Sequence, residues 1–259
     1  MTRPRSYQTE AIIIKKTKLG EADRILTLYT PSLGKIQAVA KGVRRPRSKL
    51  SGHLELLGHS QVSLARGRNL DTVTGSQTIN SFLELKSDLE LISYALYATE
   101  LVNQFTAEHI ENHPLFSLLL ETMKRLCRGG NNELLLRYFE LNLLSDVGYR
   151  PQLRQCALCH SPLEAVNNSF CPTAGGMLCP ACTRSQPLSY PLSVNGLKVL
   201  RLLQDGDYNT ISLLKMDQEL SRELERLMRN YIKHLLEREI KSAAWLDTLR
   251  EQKGQTALL

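Results

Sequence analysis

Cysteines are the residues whose spacing in this 259-residue chain points most directly to a chemistry. Cys156 and Cys159 form one Cys-x-x-Cys pair, Cys179 and Cys182 form a second, and 19 residues separate the pairs. Each pair places two thiolates on a tight turn, and two such turns complete the tetrahedron that Zn²⁺ prefers. A site closed by thiolates has no open coordination position, so the spacing predicts one structural Zn²⁺ and not a catalytic one.

Two other interpretations of the pairs are a disulfide pair and a redox centre. A redox Cys-x-x-Cys is expected once, at a helix N-terminus beside a strand, and not as two matched pairs in a loop region. Cys171 precedes Pro172 without a partner at this spacing and is left out of the ligand set, while Cys127 is predicted to be a buried core residue of a helix. Gly175-Gly176 is expected to let the chain turn back toward the second pair.

Signatures of catalysis are missing from the sequence. The chain contains no Walker-type loop, no G-x-S-x-G elbow and no H-E-x-x-H motif, and its six histidines are scattered. His160 follows Cys159 and is a substitute ligand in principle, although the four cysteines already suffice. Nothing in this pattern favours an enzyme.

Positive charge is concentrated in the first third of the chain. Residues 1–80 contain 14 Lys and Arg against five Asp and Glu, a net charge of +9, whereas residues 81–259 contain 19 against 21, a net charge of −2. This asymmetry predicts a surface that meets a polyanion; a solvated basic surface that aids solubility is the alternative. The predicted contacts to this polyanion are the basic residues at strands and turns of this part: Arg24, Lys35, Lys41, Arg44, Arg45, Arg47, Lys49, Arg66 and Arg68.

The densest basic segment is Arg44–Lys49, in which Pro46 is expected to keep the backbone extended. A disordered, solvated loop that orders on binding the polyanion is the alternative. Residues 1–80 contain only two aromatic side chains, Tyr7 and Tyr29. The segment therefore predicts binding that is dominated by charge, independent of sequence and poor in base stacking.

The basic part has the pattern of five short strands, which suits a small closed barrel. The OB-fold is the five-stranded barrel that binds oligonucleotides, although sequence alone does not separate it from other small barrels. Strand alternation assigns one set of side chains around residues 35–41 to the core and the other to solvent. The predicted core residues are Ile36, Ala38 and Ala40, and the predicted outward residues are Lys35, Gln37, Lys41 and Val39.

Helical periodicity begins after Phe82, which predicts an α+β multidomain protein. We expect an OB-fold DNA-binding domain over residues 1–80 and an α-helical domain over 81–259, interrupted by a zinc-binding segment at 150–190. No apolar run approaches the roughly 20 residues that a membrane span requires, and no signal-peptide pattern follows Met1, so we expect a cytosolic protein. The predicted helices are Asp88–Thr106, His113–Cys127, Glu133–Val147 with Asn132 as cap and Gly148 as stop, and Asp217–Ile240.

Several segments together resemble one known family. The chain is similar to RecO, the bacterial recombination mediator of the RecF pathway, and the similarity covers nearly its whole length. The two cysteine pairs with Gly175-Gly176 between them resemble the zinc-bearing members. The other matching segments are Tyr7–Ile14, Gly20–Thr30, Gly34-Lys35, Ala40–Arg45 and the central helix from Phe139 to Tyr149.

The resemblance implies an N-terminal OB-fold, a helical domain and a zinc-binding insertion. It implies a non-enzymatic DNA repair protein that binds single- and double-stranded DNA, anneals complementary strands and helps load RecA onto strands coated by single-strand binding protein. The implied partners are RecR and the acidic C-terminal tail of single-strand binding protein, with RecF and RecA as further candidates, in the cytoplasm and at the nucleoid. Arg137 is the candidate for the tail, and it could equally pair with Glu140 or a neighbouring acid.

Two other functional classes stay open at this point. One is an enzyme acting on nucleic acid, such as a nuclease. The other is a transcription or translation factor that contacts nucleic acid through its zinc knuckles. The charge of the cysteine-rich segment argues against the second, because residues 150–190 carry only Arg150, Arg154 and Arg184 against Glu164.

Overall fold

The computed structural model describes the backbone of residues 5–256 and the side chains of residues 5–249. The chain forms two compact units. One unit runs up to Arg128 and also includes the C-terminal residues from Ser242, and the other is Gly129–Lys241. Within the described part of the chain, no helix is both long and apolar enough to cross a membrane.

The first unit begins with a closed five-stranded barrel, as the sequence predicted. Its strands follow the order β1-β2-β3-β5-β4 around the barrel, and all neighbours are antiparallel except β3 and β5. The closure between β1 and β4 removes both sheet edges. The strands are β1 Ser6–Leu19, β2 Asp23–Thr30, β3 Gly34–Ala40, β4 His59–Ala65 and β5 Asp71–Asn80.

Every second side chain along the strands points into the barrel interior, as expected for strands with one buried face. Ile36, Ala38 and Ala40 are buried in the core as predicted. Val43 and Leu54 join the same core from the β3–β4 connection, which contains a short 3-10 turn at Ser51–His53. This connection therefore packs onto the barrel and does not extend away from it.

Helices cover part of the outer barrel face, and this corrects one prediction. The Tyr29 ring lies 6.3 Å from the Phe116 ring, centroid to centroid. Lys35, predicted to face outward, is buried, and its Nζ donates hydrogen bonds to the carbonyls of Asn103 and Thr106 at the end of the second helix. Strand alternation places Lys35 on the outer face of the barrel, but the helices that pack there shield it from solvent. The helices are α1 Leu83–Ser87, α2 Leu89–Phe105 and α3 His113–Arg128.

The second unit combines helices with a small three-stranded sheet of order β7-β6-β8. Its elements are α4 Asn132–Asp146, β6 Asn168–Cys171, β7 Gly176–Leu178, α5 Pro180–Thr183, β8 Tyr190–Leu192, α6 Val194–Asp205, α7 Tyr208–Ile211 and α8 Gln218–Leu236. A final helix, α9 Lys241–Thr256, crosses the boundary between the units. This is the predicted order of barrel, helices and cysteine-rich segment.

Capping residues set the helix boundaries. The side chain of Asn131, and not the predicted Asn132, accepts a hydrogen bond from the Leu134 N–H at the start of α4. Gly148 follows that helix with a φ of +87°, a conformation that favours glycine, as the sequence predicted. The helix predicted to reach Ile240 ends at Leu236, because Glu237 adopts the left-handed conformation.

Candidate metal centre and nucleic-acid interface

The two Cys-x-x-Cys pairs come together in the second unit. The Sγ atoms of Cys156, Cys159, Cys179 and Cys182 all lie within 4.8 Å of one another. The Sγ atoms of Cys159 and Cys179 are 3.8 Å apart. A tetrahedron with Zn–S bonds of about 2.3 Å has edges of about 3.8 Å, so the donor set and its spacing fit a zinc ion.

Backbone hydrogen bonds hold the first pair in its turn. The N–H of His160 donates to the Cys156 carbonyl at 3.0 Å, and the Cys156 N–H donates to the Ser161 carbonyl at 2.8 Å. The Ala157 N–H donates to the Met177 carbonyl at 2.8 Å, which joins this turn to β7. In the second pair, Cys179 lies at the N-cap of α5, where its carbonyl accepts from the Thr183 N–H. Both turns are thus fixed by the backbone.

Two adjacent glycines allow the β6–β7 hairpin to form beside the metal centre. Gly175 has a φ of +67°, and its N–H donates to the Pro172 carbonyl. Gly176 lies so close to Gln152 that an added Cβ would be 2.5 Å from the Gln152 carbonyl oxygen. The chain therefore turns back toward the second pair through one position whose φ favours glycine and one that has no room for a side chain.

Hydrogen bonds to sulfur favour the thiolate form that a metal requires. The hydroxyl and N–H of Ser161 lower the pKa of Cys159 to about 6. Burial opposes ionisation of Cys156, but the backbone N–H groups of Cys159, Cys179 and Leu158 hold the pKa of this thiol below its usual value. These contacts favour the thiolates of Cys156 and Cys159, whereas hydrogen bonds with the sulfurs of Cys159 and Cys179 raise the pKa of Cys182 to about 12.

The other two cysteines lie outside this cluster. Cys171 is fully buried, and its Sγ is 3.0 Å from the Thr173 Oγ1. It packs with Cys156 and Leu178 in the small apolar core around the metal centre. Cys127 is half-buried on α3, which is less than the predicted full burial.

Most of the predicted DNA contacts lie on the surface of the barrel. Arg24 is half-buried and Lys35 is buried. The ammonium of Lys35 is already bound by helix carbonyls, so it is not available to a phosphate. The exposed members of the set are Lys41, Arg44, Arg45, Arg47, Lys49, Arg66 and Arg68.

The basic segment 42–49 is a folded loop and not an extended one. The N–H of Arg45 donates to the Gly42 carbonyl and the N–H of Ser48 donates to the Arg45 carbonyl, which makes two consecutive turns. The Arg44 N–H donates to the Ala22 carbonyl in the β1–β2 loop at 3.0 Å. The expectation that Pro46 keeps this segment extended is therefore wrong, because these hydrogen bonds fold the chain back on both sides of the proline.

A second basic group lies at the β4–β5 turn. The guanidinium of Arg66 lies 4.8 Å from the centre of the Tyr7 ring, a cation–π distance. The Tyr7 hydroxyl donates to the Asp71 carboxylate, and burial together with this hydrogen bond raises the pKa of the phenol. Tyr29 is fully buried, and Tyr7 packs against the barrel core with Arg66 over its ring, so both aromatic side chains are engaged within the protein.

Sequence reasoning missed Lys16. This side chain lines a cleft with Arg24 and Arg44 at the end of the barrel. The register shift in β1 between Ile13 and Lys15 disturbs the alternation that would have assigned Lys16 to a face. The sequence holds no signal for this position, because the shifted register is visible only in the pairing of β1 with β2.

Arg137 is buried in α4, with 4% of its surface exposed. Its Nη2 lies 2.5 Å from the Oε1 of Glu140, which is also fully buried. Of the two roles considered for Arg137, the pair with Glu140 is therefore the one that the structure contains.

Comparison with known families decides the identity of the chain. The family described as "Recombination protein O N terminal" matches residues 1–82, and "Recombination protein O C terminal" matches residues 86–244. The chain belongs to the RecO family. The resemblance found in the sequence is confirmed, and with it the assignment to DNA repair and recombination.

Relatives in several bacteria match almost the full length of the chain. A protein named DNA repair protein RecO from Dehalococcoides mccartyi strain CBDB1 is 51% identical over 96% of this chain and 98% of its own length. The proteins of the same name from Roseiflexus sp. strain RS-1 and Symbiobacterium thermophilum are 44% and 36% identical, over 96% and 95% of this chain and 88% and 99% of their own lengths.

Proposed function

We propose that this chain is a non-enzymatic recombination mediator that binds single- and double-stranded DNA through its barrel, anneals complementary strands and helps load RecA onto strands coated by single-strand binding protein. The observation that carries the proposal is the row of exposed cations on the basic segment 42–49, which is hydrogen-bonded onto the barrel. Membership of the RecO family supports it. The proposed DNA contacts are Arg24, Lys41, Arg44, Arg45, Arg47, Lys49, Arg66 and Arg68.

The mode of binding follows from the side chains on this surface. Lysine and arginine neutralise phosphates, and this contribution to the affinity is independent of DNA sequence and falls steeply with salt. The two barrel tyrosines are engaged within the protein, so bases gain little by stacking on them. A protein that holds two backbones and leaves the base edges free allows complementary strands to pair.

We propose one structural Zn²⁺ at the four cysteines. It would be held by Cys156, Cys159, Cys179 and Cys182, and it would cross-link two turns that share only a small apolar core. A closed four-thiolate site stabilises its segment and leaves no position for substrate.

The proposed partners are RecR, the acidic tail of single-strand binding protein, RecF and RecA. Their support is membership of the family. Arg137 is not retained as the contact for the acidic tail, because its guanidinium is buried against Glu140.

An annealing assay tests this proposal. Two complementary oligonucleotides coated with the single-strand binding protein of the same organism should anneal faster with the protein, without nucleotide or Mg²⁺. Replacing Arg44, Arg45 and Arg47 by alanine should weaken single-strand binding at low salt roughly 100-fold. The negative slope of log K against log salt should become shallower by about two.

The matched control removes the same charge from the other unit. Lys198, Arg222 and Arg226 are exposed there, and their triple alanine variant should anneal almost as fast as the unaltered protein. Equal loss in both variants would show that only net charge matters. Fragmentation of the strands would overturn the non-enzymatic proposal in favour of a nuclease.

A further inference from the structure

A cleft of about 240 Å³ lies at the end of the barrel where β1 and β2 meet the β3–β4 connection. It is lined by Lys16, Arg24, Val43, Arg44, Ser51 and Glu55. Three of these residues are cations that the connection and two strands bring to one place. The cleft is therefore a concave basic site within the broader basic surface.

Strand register explains why Lys16 reaches into this cleft. Lys16 pairs with Leu26, a core residue, and Lys18 pairs with Arg24, so Lys16 and Arg24 belong to the inner face of the β1–β2 ribbon. Near the strand ends this face opens to the barrel mouth, and both side chains are half-buried. The backbone bond from Arg44 to Ala22 fixes the third cation above the same opening.

The charges around Lys16 do not balance. They are Arg24 from β2, Arg44 and Glu55 from the β3–β4 connection, and Lys86 from α1. The Glu55 carboxylate accepts a hydrogen bond from the Lys86 Nζ at 2.8 Å, and this bond holds the pKa of Glu55 below its usual range. Because Lys86 already compensates Glu55, the acid among the described residues that line the cleft, the cleft keeps an excess of positive charge that an anion would neutralise.

We propose that this cleft holds one phosphodiester group of a single DNA strand, with Lys16 as the deep contact and Arg24 and Arg44 on its sides. The inference rests on the proposed function and adds a defined phosphate position to it. A strand is favoured over a free anion because the exposed cations Arg45, Arg47 and Lys49 continue from Arg44 along the same loop. Those residues would contact the neighbouring phosphates.

The half-burial of Lys16 among other cations also makes this contact depend on pH. Burial lowers the pKa of Lys16 to about 8, and the cations Arg24 and Lys86 add to the effect while Glu55 opposes it. A bound phosphate favours the protonated amine and raises the pKa of Lys16 again. Affinity is therefore constant where free Lys16 is already protonated, below about pH 8, and falls above it because binding must then take up a proton.

Three variants test the assignment: Lys16→Gln, Lys16→Arg and the charge control Lys198→Gln. Fluorescence anisotropy with a labelled oligodeoxyadenylate, whose bases do not titrate in this range, gives affinity from about pH 6.5 to 9, where ordinary lysines stay charged. At pH 7 we expect Lys16→Gln to bind roughly five- to tenfold more weakly, with a negative slope of log K against log salt that is shallower by about 0.7. Its affinity should no longer decline above pH 8. Lys16→Arg should keep the affinity and also lose the decline.

The results separate this inference from the function beneath it. If Lys16→Gln binds like Lys198→Gln and the unaltered protein shows no decline above pH 8, the cleft does not hold a phosphate, even if the triple arginine variant loses binding. If neither the triple arginine variant nor Lys16→Gln weakens binding, the barrel is not the DNA surface at all. Thermal unfolding of the Lys16 variants checks that the barrel is intact, and Lys16→Arg carries the test if Lys16→Gln is unstable.

Inorganic phosphate distinguishes the two sources of the anion. Added at constant ionic strength, it should displace the oligonucleotide no more than chloride does, because a free ion does not use the flanking cations. Displacement by phosphate that is specific to the unaltered protein and absent in Lys16→Gln would assign the cleft to a free anion and overturn the proposal for a DNA strand.

Discussion

Replacing Cys156 by serine is expected to abolish metal binding and to unfold the cysteine-rich segment around residues 151–192. Its Sγ is one of four that lie within 4.8 Å of one another, and the segment otherwise has only a small apolar core. Structural zinc contributes about 10–16 kcal/mol in small metal-binding peptides, far more than such a core supplies. Elemental analysis should give one zinc per unaltered chain and almost none per variant, and limited proteolysis should cut the variant within this segment.

Cys171→Ala is the matched control for this prediction. Cys171 is as fully buried as Cys156 and packs in the same local core, but it is not one of the four clustered thiols. The control should keep its zinc and its resistance to proteolysis, at a cost of about 1 kcal/mol for the lost packing. A Cys156→Ser protein that kept a full equivalent of zinc would show that the ligand set is wrong. A zinc-free variant that resisted proteolysis would show that the metal is not structural.

The cluster of four cysteines could be predicted because its information is local. Each Cys-x-x-Cys pair specifies its own turn, and Gly175-Gly176 specifies the hairpin between them. The barrel was equally accessible, since alternation over a strand records which face is buried and five such strands suit a closed barrel. These features depend on neighbours within a few residues or on one repeated period.

The environments of two lysines could not be predicted, because they depend on packing between distant segments. Lys35 is buried by α2, whose last carbonyls lie about 70 residues further along the chain and bind its ammonium. Lys16 is half-buried because a register shift and the β3–β4 connection place it at the barrel mouth. Alternation gives a side chain's face, but it does not say which element will later cover that face.

Smaller errors have the same physical origin. Asn131 and Asn132 can both cap a helix, and only the backbone geometry at the start of α4 selects the first. Pro46 restricts the residue before it, but the hydrogen bonds from Arg44 to Ala22 and from Gly42 to the Asp23 carboxylate fold the loop as a whole. Both predictions were wrong because each used a local preference, whereas contacts with other parts of the chain determine the conformation.

Gly34→Ala should destabilise the barrel unit strongly, by roughly 3–5 kcal/mol. Gly34 begins β3 with a φ of +61°, and an added Cβ would lie 1.9 Å from the carbonyl oxygen of Ile110. Relief would require the segment before α3 to move away from the strand. That movement would also break the hydrogen bond from the His109 N–H to the Lys35 carbonyl, which joins the two segments at 2.9 Å.

Gly20→Ala separates the clash from the backbone conformation. Gly20 has nearly the same φ, +57°, but an added Cβ there would meet no atom within 4 Å. The stability of this variant should therefore fall only by the cost of placing alanine in the left-handed region, about 1 kcal/mol. The difference between the two variants measures the steric term alone.

Trp245 provides the readout for both variants. It is the single tryptophan of the chain, and it belongs to the same compact unit as the barrel. Its fluorescence during urea unfolding therefore follows this unit, and the midpoint should fall much further for Gly34→Ala than for Gly20→Ala. Equal midpoints would mean that the segment before α3 is not held against β3. In that case the packing that buries Lys35 would be weak, and the outer face of the barrel would be open to DNA over a larger area than we propose.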